Sequence, residues 1–137
     1  MLAGCSLGQP IAGCFRDHRR PDLIEHDVAT LVAQRVFGLA LGYEDLNDHD
    51  HLRHDPVMAV LAGKLAANRS DCAPVAGKST LNRLELSRTE PTRYLRISHD
   101  GRAIEALFVD LFMEAQPRAP GQIILDLDAT DDPLYGH

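Results

Sequence analysis

Ile123-Ile124-Leu125-Asp126-Leu127-Asp128-Ala129-Thr130-Asp131-Asp132-Pro133 decides whether this chain is purely helical or opens an α/β domain. Its run of Ile and Leu reads as a strand, in which successive side chains alternate between two faces. Ile123, Leu125, Leu127 and Ala129 then share one face, and Ile124, Asp126, Asp128 and Thr130 share the other. Aspartate is disfavoured inside a strand, and a carboxylate on a sheet's inner face is costly unless compensated. A divalent cation is the usual compensation, so Asp126 and Asp128 are candidate metal ligands. Asp131-Asp132-Pro133 has the chemistry of a turn and needs no further account.

Upstream of this segment the pattern is helical. Asp22 and Glu25 resemble a capping box with Pro21 at the entrance, and Ile24, Val28, Leu31, Val32, Val36, Leu39 and Ala40 follow at helical spacing. Gly42 is placed to end that helix. A second helix is expected from Glu44 or Asp45 to just before Pro56, and a third over 57–65. Residues 66–76 read as a loop, and Ser79 as the N-cap of a helix over 80–86. The stretch 87–98, with Pro91 and Tyr94, is ambiguous. Asp100 caps the clearest helix, whose apolar stripe is Ile104, Leu107, Phe108, Leu111 and Phe112. Pro117, Pro120 and Gly121 then break the chain before the strand. The expected organisation is a mainly α region over 1–118 and a hinge with one strand over 119–137.

Composition narrows the function classes. Three cysteines without C-x-x-C spacing indicate a reducing, cytosolic setting and no disulfide framework. No apolar run approaches the roughly 18 residues of a membrane span, and no secretory leader pattern opens the chain. The net charge of −6 argues against a nucleic-acid partner, but the charge is uneven. Residues 61–118 hold 9 Lys/Arg against 7 Asp/Glu, whereas residues 119–137 hold none against 4. The middle of the chain therefore permits a DNA contact without requiring one.

Two further motifs carry less than they promise. Gly77-Lys78-Ser79-Thr80 imitates the end of a phosphate-binding loop, but the motif calls for a glycine where Cys72 stands. A turn glycine followed by a serine cap explains it better. The stretch 45–55 is rich in Asp and His, and His51 and His54 could share a helical face. It lacks the two-histidine metalloprotease spacing and the glycine and glutamate of a calcium loop. A metal-binding domain on His49, His51 and His54 is the least favoured of three readings.

Taken together, three stretches resemble bacterial insertion-sequence transposases of the DDE type, the cut-and-paste group with a ribonuclease-H-like catalytic domain. They are Leu31 to Pro56, with Leu39-Ala40-Leu41-Gly42-Tyr43-Glu44-Asp45-Leu46-Asn47-Asp48-His49-Asp50 at its centre, Ala76 to Glu85, and Ile124 to Leu134. The resemblance implies that the first catalytic acid is an aspartate followed by a small residue and then Ser or Thr. Asp128-Ala129-Thr130 fits, which makes Asp128 the first choice and Asp126 its neighbour. It also implies Mg²⁺, binding to terminal inverted repeats, strand hydrolysis and transfer of the freed 3′-OH to target DNA. The family's second aspartate and its glutamate have no counterpart here. The expectation is therefore an N-terminal part of a transposase, cut short and inactive by itself. The alternative is a non-catalytic helical module that binds DNA or pairs with an intact transposase and inhibits it.

Overall fold

The structure, a computed structural model, describes residues 8–64 and 74–127. Most of the regular structure in these residues is helical, as the apolar spacing predicts. The elements run α1 (Gly8–Ala12), β1 (Phe15–Asp17), a 3-10 turn (Pro21–Leu23), α2 (Val28–Ala40) and a second 3-10 turn (Leu46–Asp48). They continue with α3 (His49–Leu52), α4 (Pro56–Leu61), α5 (Lys78–Glu85), β2 (Ile97–His99) and α6 (Gly101–Glu114).

Helix α2 is the central support, packed on α1, α4 and α5. It starts later than the sequence pattern predicts. Asp27, not Asp22, is the cap: its backbone is extended and its carboxylate accepts from the Thr30 amide at 2.7 Å. Asp22 lies in the preceding turn and pairs with Arg20 at 2.6 Å. The physical reason is burial. Val28 is the first residue in α2's inward stripe with Leu31 and Val32, and those three enter the main core with Ala76, Leu81, Leu84 and Ile97. Leu31 is fully buried, which alone stabilises the fold by about 1.5–3 kcal/mol relative to exposure. At the other end Gly42 adopts a φ of +90°, the left-handed conformation that glycine supplies at a helix stop.

A second, smaller core joins Met58, Ala59, Ala62 and Val75, with Phe37 and Leu52 packed against it. The single helix expected up to Pro56 is a 3-10 turn followed by the short α3. Asp55 then caps α4 through the Val57 amide at 2.8 Å, with Pro56 in the first turn. Asp100 caps α6 as predicted, accepting from the amides of Arg102 and Ala103.

Two strands that the sequence pattern does not announce tie the ends of the region together. β1 and β2 pair antiparallel, with Phe15 opposite His99, Arg16 opposite Ser98 and Asp17 opposite Ile97. The Cys14 thiol beside them is buried, and burial with the nearby Asp100 carboxylate pushes its pKa up. By contrast, residues 122–127 form no strand. Ile124, Leu125 and Leu127 are 86%, 77% and 89% exposed, because no neighbouring strand among the described residues pairs with them. Asp126 is exposed with them, and Asp128 lies outside the described residues.

An arginine cleft as candidate nucleic-acid interface

The 45–55 and 76–85 segments, whose motifs imitate a metal site and a phosphate loop without completing either, hold each other in place. Gln34 projects from α2 into the space between them and is fully buried. Its amide oxygen accepts from the Ala76 amide at 3.0 Å, and its amide nitrogen donates to the Ala76 carbonyl at 2.7 Å. The second hydrogen of that nitrogen is directed to His49 Nδ1 at 3.1 Å, which leaves the ring proton on Nε2. Gly38 makes room for the ring, since a Cβ there would lie 2.9 Å from His49 Cε1. Burial, with the Arg35 charge adding to it, holds the His49 pKa below the ordinary histidine value.

Asp50, next along, accepts from the Lys78 amide at 3.1 Å and so caps α5 from another element. This bond first, and the Lys78 charge with it, lowers the Asp50 pKa. Ser79 is therefore not the cap; Gly77 occupies that position and Asp50 supplies the acceptor. Arg35 extends the same network, pairing with Glu85 and donating to the carbonyls of Tyr43 and Glu44. With His49 turned inward, His51 and His54 stand exposed on the outside. Among the described residues no three His, Cys, Asp or Glu side chains converge on a possible metal position.

The side of α5 that faces away from this network carries a different chemistry. Leu81 and Leu84 point into the core, so Thr80 and Arg83 face outward. They line a cleft of about 310 Å³ with Arg19, Arg93, Tyr94, Arg96 and Ile97. Each arginine is placed by a separate local device. Arg19 follows β1 and is clamped by Asp17 through bonds of 2.8 and 2.6 Å, and it also donates to the His26 carbonyl. Burial acts to raise the Asp17 pKa, but the Arg19 hydrogen bonds and charge outweigh it and hold the carboxyl low. Arg93 and Tyr94 sit at the tip of a turn closed by two bonds, Thr92 N–H to the Leu95 carbonyl and Leu95 N–H to Thr92 Oγ1. Arg96 precedes β2, and its carbonyl accepts from the His18 amide at 2.8 Å.

Four arginines thus line one opening. Among the described residues, only Arg19 of the four is paired with a carboxylate. Planar, permanently charged groups with several donors suit phosphate oxygens. A larger cleft of about 530 Å³ contains Arg16 and Arg102 but also Glu90, Asp100 and Glu105, a balance that does not favour an anion. The sequence signal for the smaller cleft is the arginine excess of residues 61–118. It gives no hint that Arg19, some sixty residues earlier in the chain than Arg83, joins them.

The architecture is therefore a mainly helical support carrying a cleft lined by arginines. The chain belongs to the family described as transposase DDE domain group 1, whose model matches residues 3–137. No curated protein and no solved structure matches it. Membership gives the chain a role in transposition, and DDE transposases generally use divalent metal ions and act on DNA. No helix among the described residues is long and apolar enough to cross a membrane. The described residues do not assemble a metal site, because Asp126 stands exposed in an irregular segment with no converging carboxylates.

Proposed function

We propose that this chain is the DNA-holding, N-terminal part of a bacterial cytoplasmic transposase, with the arginine cleft seated on the phosphate backbone. Residues 1–118 carry the DNA contact and assembly, and residues 119–137 lead into the catalytic domain. The observation that carries this reading is the convergence of Arg19, Arg83, Arg93 and Arg96 from three segments of the chain. Family membership supplies the polymer, since the substrate of a transposase is DNA. Asp128 is the acid we assign to the catalytic centre on its Asp-Ala-Thr pattern, with Asp126 as a neighbouring ligand for Mg²⁺. One such acid is not a two-metal centre, so these 137 residues bind DNA and do not cleave it.

The test is binding to a duplex oligonucleotide across a salt series, comparing the chain with an Arg83→Ala, Arg93→Ala, Arg96→Ala triple variant. Each phosphate contact adds roughly 0.9 to the slope of log affinity against log salt, so the triple variant should lose about 2–3 from that slope. An unchanged slope in a folded variant would remove the cleft from DNA binding. Mg²⁺-dependent cleavage by the chain alone, abolished in Asp128→Ala, would refute the non-cleaving assignment.

A further inference from the structure

Tyr94 is the one aromatic ring in the arginine cleft, and it is 80% exposed. Its turn is fixed by the paired Thr92 and Leu95 bonds, and the Arg93 guanidinium carbon stands 5.9 Å from the ring centroid. That distance is at the outer limit of a cation–π contact. An exposed ring in an arginine-lined cleft, with Arg93 beside it, is a poor surface for an apolar protein partner, which would have to bury a guanidinium group with it. Nor does it suit the interior of a duplex, where each base already has both faces covered by its neighbours. A flat aromatic face flanked by phosphate-binding groups matches an unpaired nucleotide, which offers a free π-face and adjacent phosphates. The cleft volume, about 310 Å³, is also at the small end of the roughly 300–1,000 Å³ of ligand pockets, a nucleotide's scale rather than a duplex's.

Resting on the DNA-binding reading above, we propose that the cleft receives DNA with an unpaired base. That base stacks on Tyr94 while Arg83, Arg93 and Arg96 hold the flanking phosphates. Arg19, already clamped by Asp17, forms a fixed wall of the cleft. The preferred substrate is then a DNA end or junction with locally open strands.

The experiment uses the full chain with two labelled probes, a blunt duplex and the same duplex with a short forked end. The chain should bind the forked probe about 10-fold more tightly, within the range expected for stacking one base on an aromatic ring. Tyr94→Ala should abolish that preference, bringing the two probes to equal affinity, while Tyr94→Phe should retain it. Circular dichroism of both variants checks that they are folded, as the exposure of the ring leads one to expect. Equal affinity of the wild-type chain for both probes, or a preference that survives Tyr94→Ala, would overturn the stacking role alone. If the triple arginine variant also bound blunt duplex normally, or if neither probe bound at all, the DNA-binding reading itself would fail.

Discussion

The centre of the molecule and its C-terminal side solve the problem of burial in opposite ways. Around Gln34 the chain buries polar groups and pairs most of them: one amide serves both backbone groups of Ala76 and the His49 Nδ1, while His49 Nε2 is buried without a partner among the described residues. In α6 the chain does the reverse. The helix carries an apolar stripe yet has no buried residue, and Phe108 and Val109 are 68% and 62% exposed. The apolar segment 123–127 beyond it is equally uncovered. His49, from a stretch rich in possible metal ligands, is thus structural, while Phe108 and Phe112 of the predicted apolar stripe are exposed and Ile104, Leu107 and Leu111 only half-buried. Which residues are buried is decided by what the neighbouring segments offer, not by polarity alone.

The largest effect should come from breaking the polar centre. Gln34→Leu keeps similar volume but leaves the Ala76 N–H and carbonyl and the His49 Nδ1 without their partner. A buried unsatisfied group costs about 1–3 kcal/mol, so the variant should lose about 3 kcal/mol or more in urea unfolding. A loss below about 1 kcal/mol would mean that water reaches the site and the contrast with α6 is overstated.

A smaller and pH-dependent effect should sharpen the same contrast. Burial lowers the pKa of His49, with Arg35 contributing, and burial followed by the Lys64 charge lowers that of His26. The folded forms therefore resist protons that the unfolded chain accepts. Stability is full above the ordinary histidine value of about 6.5, falls as the pH drops below it, and levels off beneath the folded-state values. Urea midpoints measured from about pH 8 down to about pH 5 should decline, and His49→Asn should flatten part of the decline. The low-pKa carboxylates Asp17, Asp45 and Asp50 lose their stabilising contribution at lower pH, below the ordinary carboxylate range, so the two windows separate. A midpoint that does not move across the histidine window would contradict the buried, neutral state of both rings.

Much of the helical fold is legible in the sequence because its signals are local. The apolar spacing of α2 and α6, the stop at Gly42 and the cap at Asp100 each depend on residues a few positions apart. The start of α2 is misread because Asp22 and Asp27 offer equivalent capping chemistry, and only the packing of Val28 chooses between them. β1 and β2 are three residues each and lie about eighty positions apart, so no periodicity exposes them. The expected strand at 123–130 has, over its described part 123–127, the opposite fault, a strong local pattern without a partner. For the site, the Asp-Ala-Thr pattern of Asp128 is legible but lies outside the described residues. The arginine cleft is illegible for the reason that makes it informative. Its residues converge only after α5, β2 and the segment following β1 have packed together.

The smallest effect belongs to α6, and it is the one that defines the comparison. Phe108→Ser removes a large apolar side chain from the centre of the stripe, a change that in a core would cost several kcal/mol. On an uncovered face it should change unfolding stability by no more than about 0.5 kcal/mol, since the ring contacts water in both states. Leu31→Ala, inside α2, is the matched control and should cost about 2–5 kcal/mol. If Phe108→Ser proved as costly as Leu31→Ala, α6 would be covered in solution by a second copy or another segment of the protein. Dependence of its unfolding midpoint on protein concentration would then tell which, because only association between molecules responds to mass action.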